Sequence, residues 1–243
     1  MKRFRNHFIF GLVLTAGLLI VGCDKETSPT AAAPKKPASP KVTFNGPTTN
    51  STNAYAQQAQ GFSSMFNGFA LEFSALGDIP GGTQNGNVWT YSYTYGSFSE
   101  TITVEQLADG SNKWKVVYNG TEPGGAITFN NWTAFEGTSS ADGKSGSLKF
   151  YSENSTTMEA EISWTTDAQG NESGIIKTYS NGILGQEIDI INNIDNSGSM
   201  KSYMKKSAST AMYLNMEIAW IANGTGTYKV YTEAGVVADQ GVF

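Results

Sequence analysis

The sequence predicts a mainly β protein: an antiparallel meander of about twelve strands, strongly curved into a barrel or half-barrel, with one N-terminal α-helix packed against it. Three observations predict this fold. Turn signals recur about every 8–14 residues after Pro80. Apolar and polar residues alternate between these turns, and a stripe of aromatic residues with helical spacing precedes them. Alternation with period two indicates strands with one buried face, whereas a 4-3-4-3 spacing indicates a helix.

Residues 1–22 have the composition of a secretory signal peptide. An apolar run of 14 residues, 8–21, follows a basic start that contains Lys2, Arg3 and Arg5. As a helix this run would span about 21 Å, which is shorter than the roughly 30 Å hydrocarbon core of a bilayer. A basic start and a short apolar run that ends in small residues are typical of signals that are removed.

The apolar run ends in Ile20-Val21-Gly22-Cys23, which resembles the lipobox of bacterial lipoproteins. The resemblance implies that a diacylglycerol is attached to the sulfur of Cys23, that the chain is cut before Cys23, and that the new amino group receives a fatty acid such as palmitate. Two or three acyl chains give stable membrane attachment, whereas one chain is marginal. An ordinary signal peptide that ends near the only cysteine of the chain is the alternative.

The residues after Cys23 bear on localisation. Asp24 resembles the inner-membrane retention signal of enterobacterial lipoproteins. Asp24-Lys25-Glu26 partly resembles the export signal of surface lipoproteins in the Bacteroidota, although Thr27 stands where that signal has a second acidic residue. We expect a lipid-anchored protein of the cell envelope, with the outer membrane favoured over the inner membrane.

Composition excludes several classes of chemistry. Removal of residues 1–22 would remove three basic residues and the only histidine, His7, leaving 13 basic and 21 acidic residues and a net charge of −8. Without histidine or a free thiol, the usual nucleophile systems and transition-metal sites cannot form. An acidic chain without basic clusters also disfavours nucleic acid. We therefore expect no enzymatic activity, no cofactor, no metal site and no nucleic-acid partner.

Residues 23–50 are predicted to be the lipid anchor and a disordered tether. This segment holds five of the seven prolines, and alanine, serine and threonine fill much of the rest. Such a composition buries too little apolar surface to fold. A single globular domain is predicted over 51–243, with a helix at 51–77 and the β-meander at 83–243.

The helix prediction depends on one continuous apolar stripe. Ser51 or Asn53 can cap its start, and Gly77 can end it. We favour packing of this stripe against the sheet, while a helix that lies on the membrane and a lid over a ligand are the alternatives. The stripe consists of Tyr55, Ala59, Phe62, Phe66, Phe69, Phe73 and Leu76.

The meander contains a faint internal repeat of about four strands, with a period near 55 residues. Residues 144–151 resemble 196–203, and Glu161-Ile162-Ser163-Trp164 resembles Glu217-Ile218-Ala219-Trp220. Duplication and the shared demands of hairpin turns both explain this likeness. The general plan is similar to that of envelope proteins that handle lipids, although the chain shares no motif with them.

Aromatic residues are the main candidates for a binding site. Trp89, Tyr91, Tyr93 and Tyr95 share one face of a strand, with Phe98 following. They either stack on sugars, line a lipid cavity, or form the core beneath the helix; we favour the core. The candidate ligand-binding residues are Trp89, Tyr91, Tyr93, Phe66 and Phe69.

Carboxylates are weaker candidates. Glu159 with Glu161, and Glu217 with Asp189, are pairs of the type that glycosidases use, but they alternate with apolar residues and are expected on a solvated face. The aspartate-containing turns lack the ligand series of a calcium loop.

Two functions therefore remain. One is a membrane-anchored envelope lipoprotein that binds an apolar small molecule between helix and sheet. The other is a structural or interaction module of the envelope with a filled core, which contacts an envelope protein.

Overall fold

The computed structural model describes residues 43–47, 52–77 and 82–243. Cys23, the signal peptide and most of the tether lie outside these ranges, as do the side chains of Phe69, Phe73 and Leu76 within the helix. Among the described residues, no helix is long and apolar enough to cross a membrane. The elements are α1 Ala54–Gly77, β1 Thr83–Asn85, β2 Val88–Tyr95, β3 Phe98–Gln106, β4 Asn112–Thr121, β5 Thr128–Ser139, β6 Ser145–Tyr151, β7 Met158–Thr166, β8 Glu172–Ser180, β9 Ile183–Asn192, β10 Gly198–Lys205, β11 Met212–Trp220, β12 Gly226–Tyr231 and β13 Val237–Val242.

The strands form one antiparallel sheet in sequence order from β1 to β13. The prediction of a mainly β meander with one helix is confirmed, and the sheet has thirteen strands rather than about twelve. The additional strand is β1, which pairs with β2 through a tight turn at Gly86, where φ is 61°. The two turn residues are Gly86 and Asn87, and glycine at the first of two turn positions favours a hairpin. The sheet is not closed, because β1 and β13 are its two edges; the closed barrel is therefore wrong.

Burial alternates along the strands and separates an inner face from an outer face. In β7, for example, Ala160, Ile162 and Trp164 are buried while Glu159 and Glu161 are not. Pairing keeps these positions in register across the sheet, so that Ile162 lies opposite Leu148 and Ile176. This one-sided pattern is typical of antiparallel sheets that cover a single core.

The predicted repeat corresponds to a recurring arrangement of tryptophan and glycine on the inner face. Trp164 of β7 lies between Gly146 and Gly174, and Trp220 of β11 lies between Gly198 and Gly226. A Cβ atom on Gly146 would be 2.4 Å from the Trp164 ring, and one on Gly198 would be 2.3 Å from the Trp220 ring. Strands β6–β8 therefore match β10–β12, because each tryptophan requires a neighbour without a side chain.

Helix α1 lies on the inner face. Asn53 caps it, since its Oδ1 accepts hydrogen bonds from the amides of Tyr55 (2.9 Å) and Ala56 (3.3 Å). The Tyr55 ring stacks on Tyr228 of β12 with centroids 4.2 Å apart, and its hydroxyl donates to Oδ2 of Asp239 in β13. The helix ends at Gly77, as predicted.

The buried stripe of the helix differs slightly from the predicted one. Ala56, Ala59, Ser63 and Phe66 are buried, whereas Phe62 is half-buried. The positions 56, 59, 63 and 66 keep the 3-4-3 spacing of one helix face. Their first three side chains are small, so the first half of the helix can approach its neighbours closely.

Residues 43–47, which composition assigned to the disordered tether, pack between the helix and the sheet. The amide of Phe44 donates to Oδ1 of Asn67 (2.7 Å), and Nδ2 of Asn67 donates to the carbonyl of Phe44 (2.8 Å). The Phe44 ring is buried against Phe66, with centroids 4.5 Å apart. A phenylalanine has enough apolar surface to order a short segment that proline-rich composition alone leaves extended.

Candidate functional site

Four aromatic rings form a cluster on the inner face where β3, β4 and β5 meet. The Tyr118 ring lies 5.4 Å from Phe98, 5.5 Å from Phe129 and 5.7 Å from Trp132. The rings of Phe129 and Trp132 are nearly parallel, with centroids 5.3 Å apart. Phe129 is buried, and the other three rings are half-buried. The cluster therefore exposes part of its aromatic surface on the inner face.

The backbone positions this cluster through glycine and two register shifts. Strand β5 shifts register against β4 on either side of Trp132, so that Trp132 lies opposite Tyr118 and Phe129 lies opposite Gly120. At Gly120 φ is 86°, and a Cβ atom there would be 1.7 Å from the carbonyl oxygen of Ser97. Only glycine fits this close approach. Register shifts of this kind bend a strand and re-aim its side chains.

Glu100 of β3 lies at the margin of the cluster. It lies opposite Tyr93 of β2 and opposite Tyr118 of β4, and its side chain is 8% exposed. Burial raises the pKa of the Glu100 carboxyl to about 7. The structure assigns Glu100 no hydrogen bond or ion pair with any described residue. The site thus contains an uncompensated carboxyl group beside aromatic rings.

Two polar atoms in the same cross-strand row as Glu100 are buried without a partner among the described residues. These are the hydroxyl of Tyr93 and Nε1 of Trp132. Burial, together with the negative charge of Glu100, raises the pKa of the Tyr93 phenol. A buried donor that forms no hydrogen bond costs about 1–3 kcal/mol. One cross-strand row therefore holds Tyr93, Glu100, Tyr118 and Trp132, and two of the four, Tyr93 and Trp132, have a buried polar atom without a partner among the described residues.

The structure separates the binding residues that the sequence suggested. Trp89 and Tyr91 are each only 6% exposed and belong to the core, and a Cβ atom on Gly82 would be 2.3 Å from the Tyr91 ring. Tyr93 is half-buried and joins the candidate site. Phe66 lies on Gly174 of β8, six strands from β2, so it belongs to a different part of the sheet. The side chain of Phe69 lies outside the described residues.

Sequence reasoning missed Glu100, Tyr118, Phe129 and Trp132 as site residues. The alternation in β3 contained a usable signal, because Glu100 occupies the same face as Phe98, Ile102 and Val104. A carboxylate at an apolar position of a strand is unusual and is itself a site hypothesis. Trp132 was not recognisable in the same way, because the two register shifts in β5 break the period of two.

The outer face carries other carboxylates in rows of alternating charge. Lys201 lies opposite both Asp189 and Glu217, and its Nζ is 3.9 Å from Oε1 of Glu217. The Tyr231 hydroxyl also donates to Oε2 of Glu217. This pairing separates Asp189 from Glu217, and both lie on the face that the sequence analysis expected to be solvated. A longer row runs from β4 to β9 and consists of Lys115, Glu136, Lys149, Glu161, Lys177 and Glu187.

A second concave region lies at the opposite edge of the sheet, between the β10–β11 and β12–β13 turns. Glu233 connects the turns, since its carboxylate accepts hydrogen bonds from the amide (3.0 Å) and hydroxyl (2.8 Å) of Ser207. The groove has a volume of about 390 Å³ and includes Lys206, Met212 and Tyr213. These contacts hold the two turns together, and none of the described residues that line the groove has a buried polar atom without a partner.

Within the described ranges, no group of three or more histidine, cysteine, aspartate or glutamate residues could hold a metal ion. No protein-family model matches the chain, and no curated protein matches it either.

Proposed function

We propose that this protein is a membrane-anchored envelope lipoprotein that binds an apolar small molecule and has no enzymatic activity. Cys23 carries the lipid anchor, and the outer membrane is favoured over the inner membrane. The ligand lies on the inner face of the sheet, at the cluster of Phe98, Tyr118, Phe129 and Trp132. One observation carries this proposal: the cluster exposes aromatic surface next to buried polar atoms that have no partner.

A curved sheet supports the same site. Thirteen strands laid flat would be about 60 Å wide, whereas a helix of 24 residues is about 36 Å long and about 10 Å across. Such a helix cannot cover a flat sheet of this width, yet inner residues from β2 to β11 are buried. We infer that the sheet is strongly curved, as a half-barrel, and that the aromatic cluster lies inside the curve.

A structural or interaction module with a filled core is the second candidate. The packing at β8 favours it, because the rings of Phe66 and Phe44 occupy the space above Gly174. A Cβ atom there would be 2.5 Å from Phe66 and 2.8 Å from Phe44. That part of the inner face has no room for a ligand. The two candidate functions therefore differ only in whether the aromatic cluster binds a ligand.

Fluorine NMR tests the proposal on the full lipoprotein in phosphatidylglycerol nanodiscs. The chain has five tryptophans, so labelling with 5-fluorotryptophan gives five resonances. Loss of one resonance in Trp132→Phe identifies Trp132, and Trp164 and Trp220 serve as internal controls in the core. Cyclohexanol, a neutral apolar probe, should shift the Trp132 resonance and leave the two controls unmoved. If the Trp132 resonance does not move, or if all five move together, binding at the cluster is wrong.

A further inference from the structure

Among the described residues, no positively charged side chain faces Glu100 on its own face of the sheet. The nearest lysines in sequence, Lys113 and Lys115 of β4, are exposed and lie on the outer face. The groups that face Glu100 from the neighbouring strands are the phenols of Tyr93 and Tyr118. Neither carries a positive charge. Within the part of the chain that the structure describes, an ionised Glu100 therefore has no oppositely charged partner of the kind that buried charges normally have.

The aromatic rings next to Glu100 provide the other half of a cation site. Glu100 lies directly opposite Tyr118 in the antiparallel pair, and such side chains have Cβ atoms about 4.5–5.5 Å apart, so the two side chains are neighbours on the inner face. Phe98 is two residues away on the same face of β3. The faces of aromatic rings attract cations, and aromatic clusters are the usual receptors for quaternary ammonium groups.

We propose that the ligand of this site carries an organic cation, a quaternary or protonated amine, which binds between the Glu100 carboxylate and the rings of Phe98 and Tyr118. The inference deepens the proposed function and rests on it, since it names the class of molecule that the cluster binds. A neutral ligand would leave the buried carboxylate uncompensated, whereas a cation satisfies the carboxylate and the rings at once. The apolar part of the ligand then lies on Phe129 and Trp132.

The expected pH dependence follows from Glu100. Since burial raises the pKa of its carboxyl to about 7, the group is ionised in only part of the molecules at neutral pH. A cation binds the ionised form, so its affinity should rise as the pH increases from about 6 to 8 and then level off. The phenol of Tyr93 does not interfere in this range, because its pKa is raised above the usual value of a tyrosine.

The test compares choline with its uncharged isostere, 3,3-dimethylbutan-1-ol, in the same fluorine NMR titration. The nanodiscs contain only phosphatidylglycerol, so no lipid supplies a quaternary amine. Choline should shift the Trp132 resonance at a concentration at least ~10-fold lower than the alcohol. Glu100→Gln should weaken choline at least ~10-fold and abolish its pH dependence. Glu105→Gln, on the outer face of the same strand, is the matched control and should change neither.

A second variant keeps the test decisive if Glu100→Gln perturbs the fold. Phe98→Leu preserves apolar volume but removes the ring, so it should weaken choline several-fold more than it weakens the alcohol. Equal affinity for choline and the alcohol, or choline binding that Glu100→Gln does not weaken, would overturn the cation assignment. That result is distinct from failure of the proposed function, in which cyclohexanol does not shift Trp132.

Discussion

Replacing Phe66 by alanine removes the side chain that fixes helix α1 on the sheet. Phe66 is 3% exposed, and its ring fills the space above Gly174 next to Phe44. Truncation of a buried phenylalanine costs about 3–5 kcal/mol, against a total stability of roughly 5–15 kcal/mol. For a domain of this size each kcal/mol lowers the melting temperature by about 2–4 °C, so we expect a decrease of about 6–20 °C. Far-UV circular dichroism of the purified lipoprotein in detergent measures it.

Gly174→Ala provides an independent route to the same contact. The new Cβ atom would overlap the rings of Phe66 and Phe44, and such overpacking costs about 1–3 kcal/mol. In the double variant the Phe66 ring is gone, so the second substitution should cost less than it does alone. A coupling energy of about 0.5–3 kcal/mol is expected for residues in contact.

Phe62→Ala is the matched control. Phe62 is half-buried on the same helix, so its truncation should lower the melting temperature clearly less than Phe66→Ala does. The reasoning is refuted if Phe66→Ala and Phe62→Ala have the same small effect. The same reasoning is contradicted if the stability losses of Phe66→Ala and Gly174→Ala simply add in the double variant, since Phe66 would then not pack on β8.

Three further predictions follow from other parts of the chain. Cys23→Ser should leave the precursor uncut or release unlipidated protein, whereas membrane-bound protein that migrates as the wild type would refute the anchor. Because burial raises the pKa of the Glu100 carboxyl to about 7, the wild type should lose stability as the pH rises from about 4.5 to 7. Glu100→Gln should remove this loss, so that in chemical unfolding above pH 7 the variant is more stable than the wild type by about 3 kcal/mol. Gly146→Ala and Gly198→Ala should destabilise to a similar degree, by about 1–3 kcal/mol each, since each new Cβ overlaps a tryptophan ring; unequal melting temperatures would contradict the structural repeat.

The sequence was sufficient to predict the meander because each hairpin is determined by residues that are close together along the chain. Turns such as Asn181-Gly182 and Asp109-Gly110 require positive φ, and alternation of apolar residues between them sets the strand faces. The one missed strand followed from an unrecognised Gly86-Asn87 turn. Whether the sheet closes depends on contacts between its two edges, which no local pattern encodes.

The candidate site was less accessible to sequence reasoning. Tyr93 was found because it lies in a strand rich in aromatic residues. The other members of its cross-strand row, Glu100, Tyr118 and Trp132, come from three other strands. Glu100 stood out only by its place in the alternation of β3, and Trp132 was displaced from any simple pattern by the register shifts of β5. Long-range pairing, rather than composition, brings these residues together.

The most direct measurement is a mass spectrum of the small molecules that co-purify with the lipoprotein from its own membranes. Wild type would be compared with Tyr118→Ala, in the aromatic cluster, and with Tyr151→Ala, which removes a tyrosine that bonds to Glu136 on the outer face. The account predicts a small molecule with an apolar body and a cationic group that is enriched with the wild type and Tyr151→Ala and is lost from Tyr118→Ala. The same set of molecules in all three preparations would contradict it.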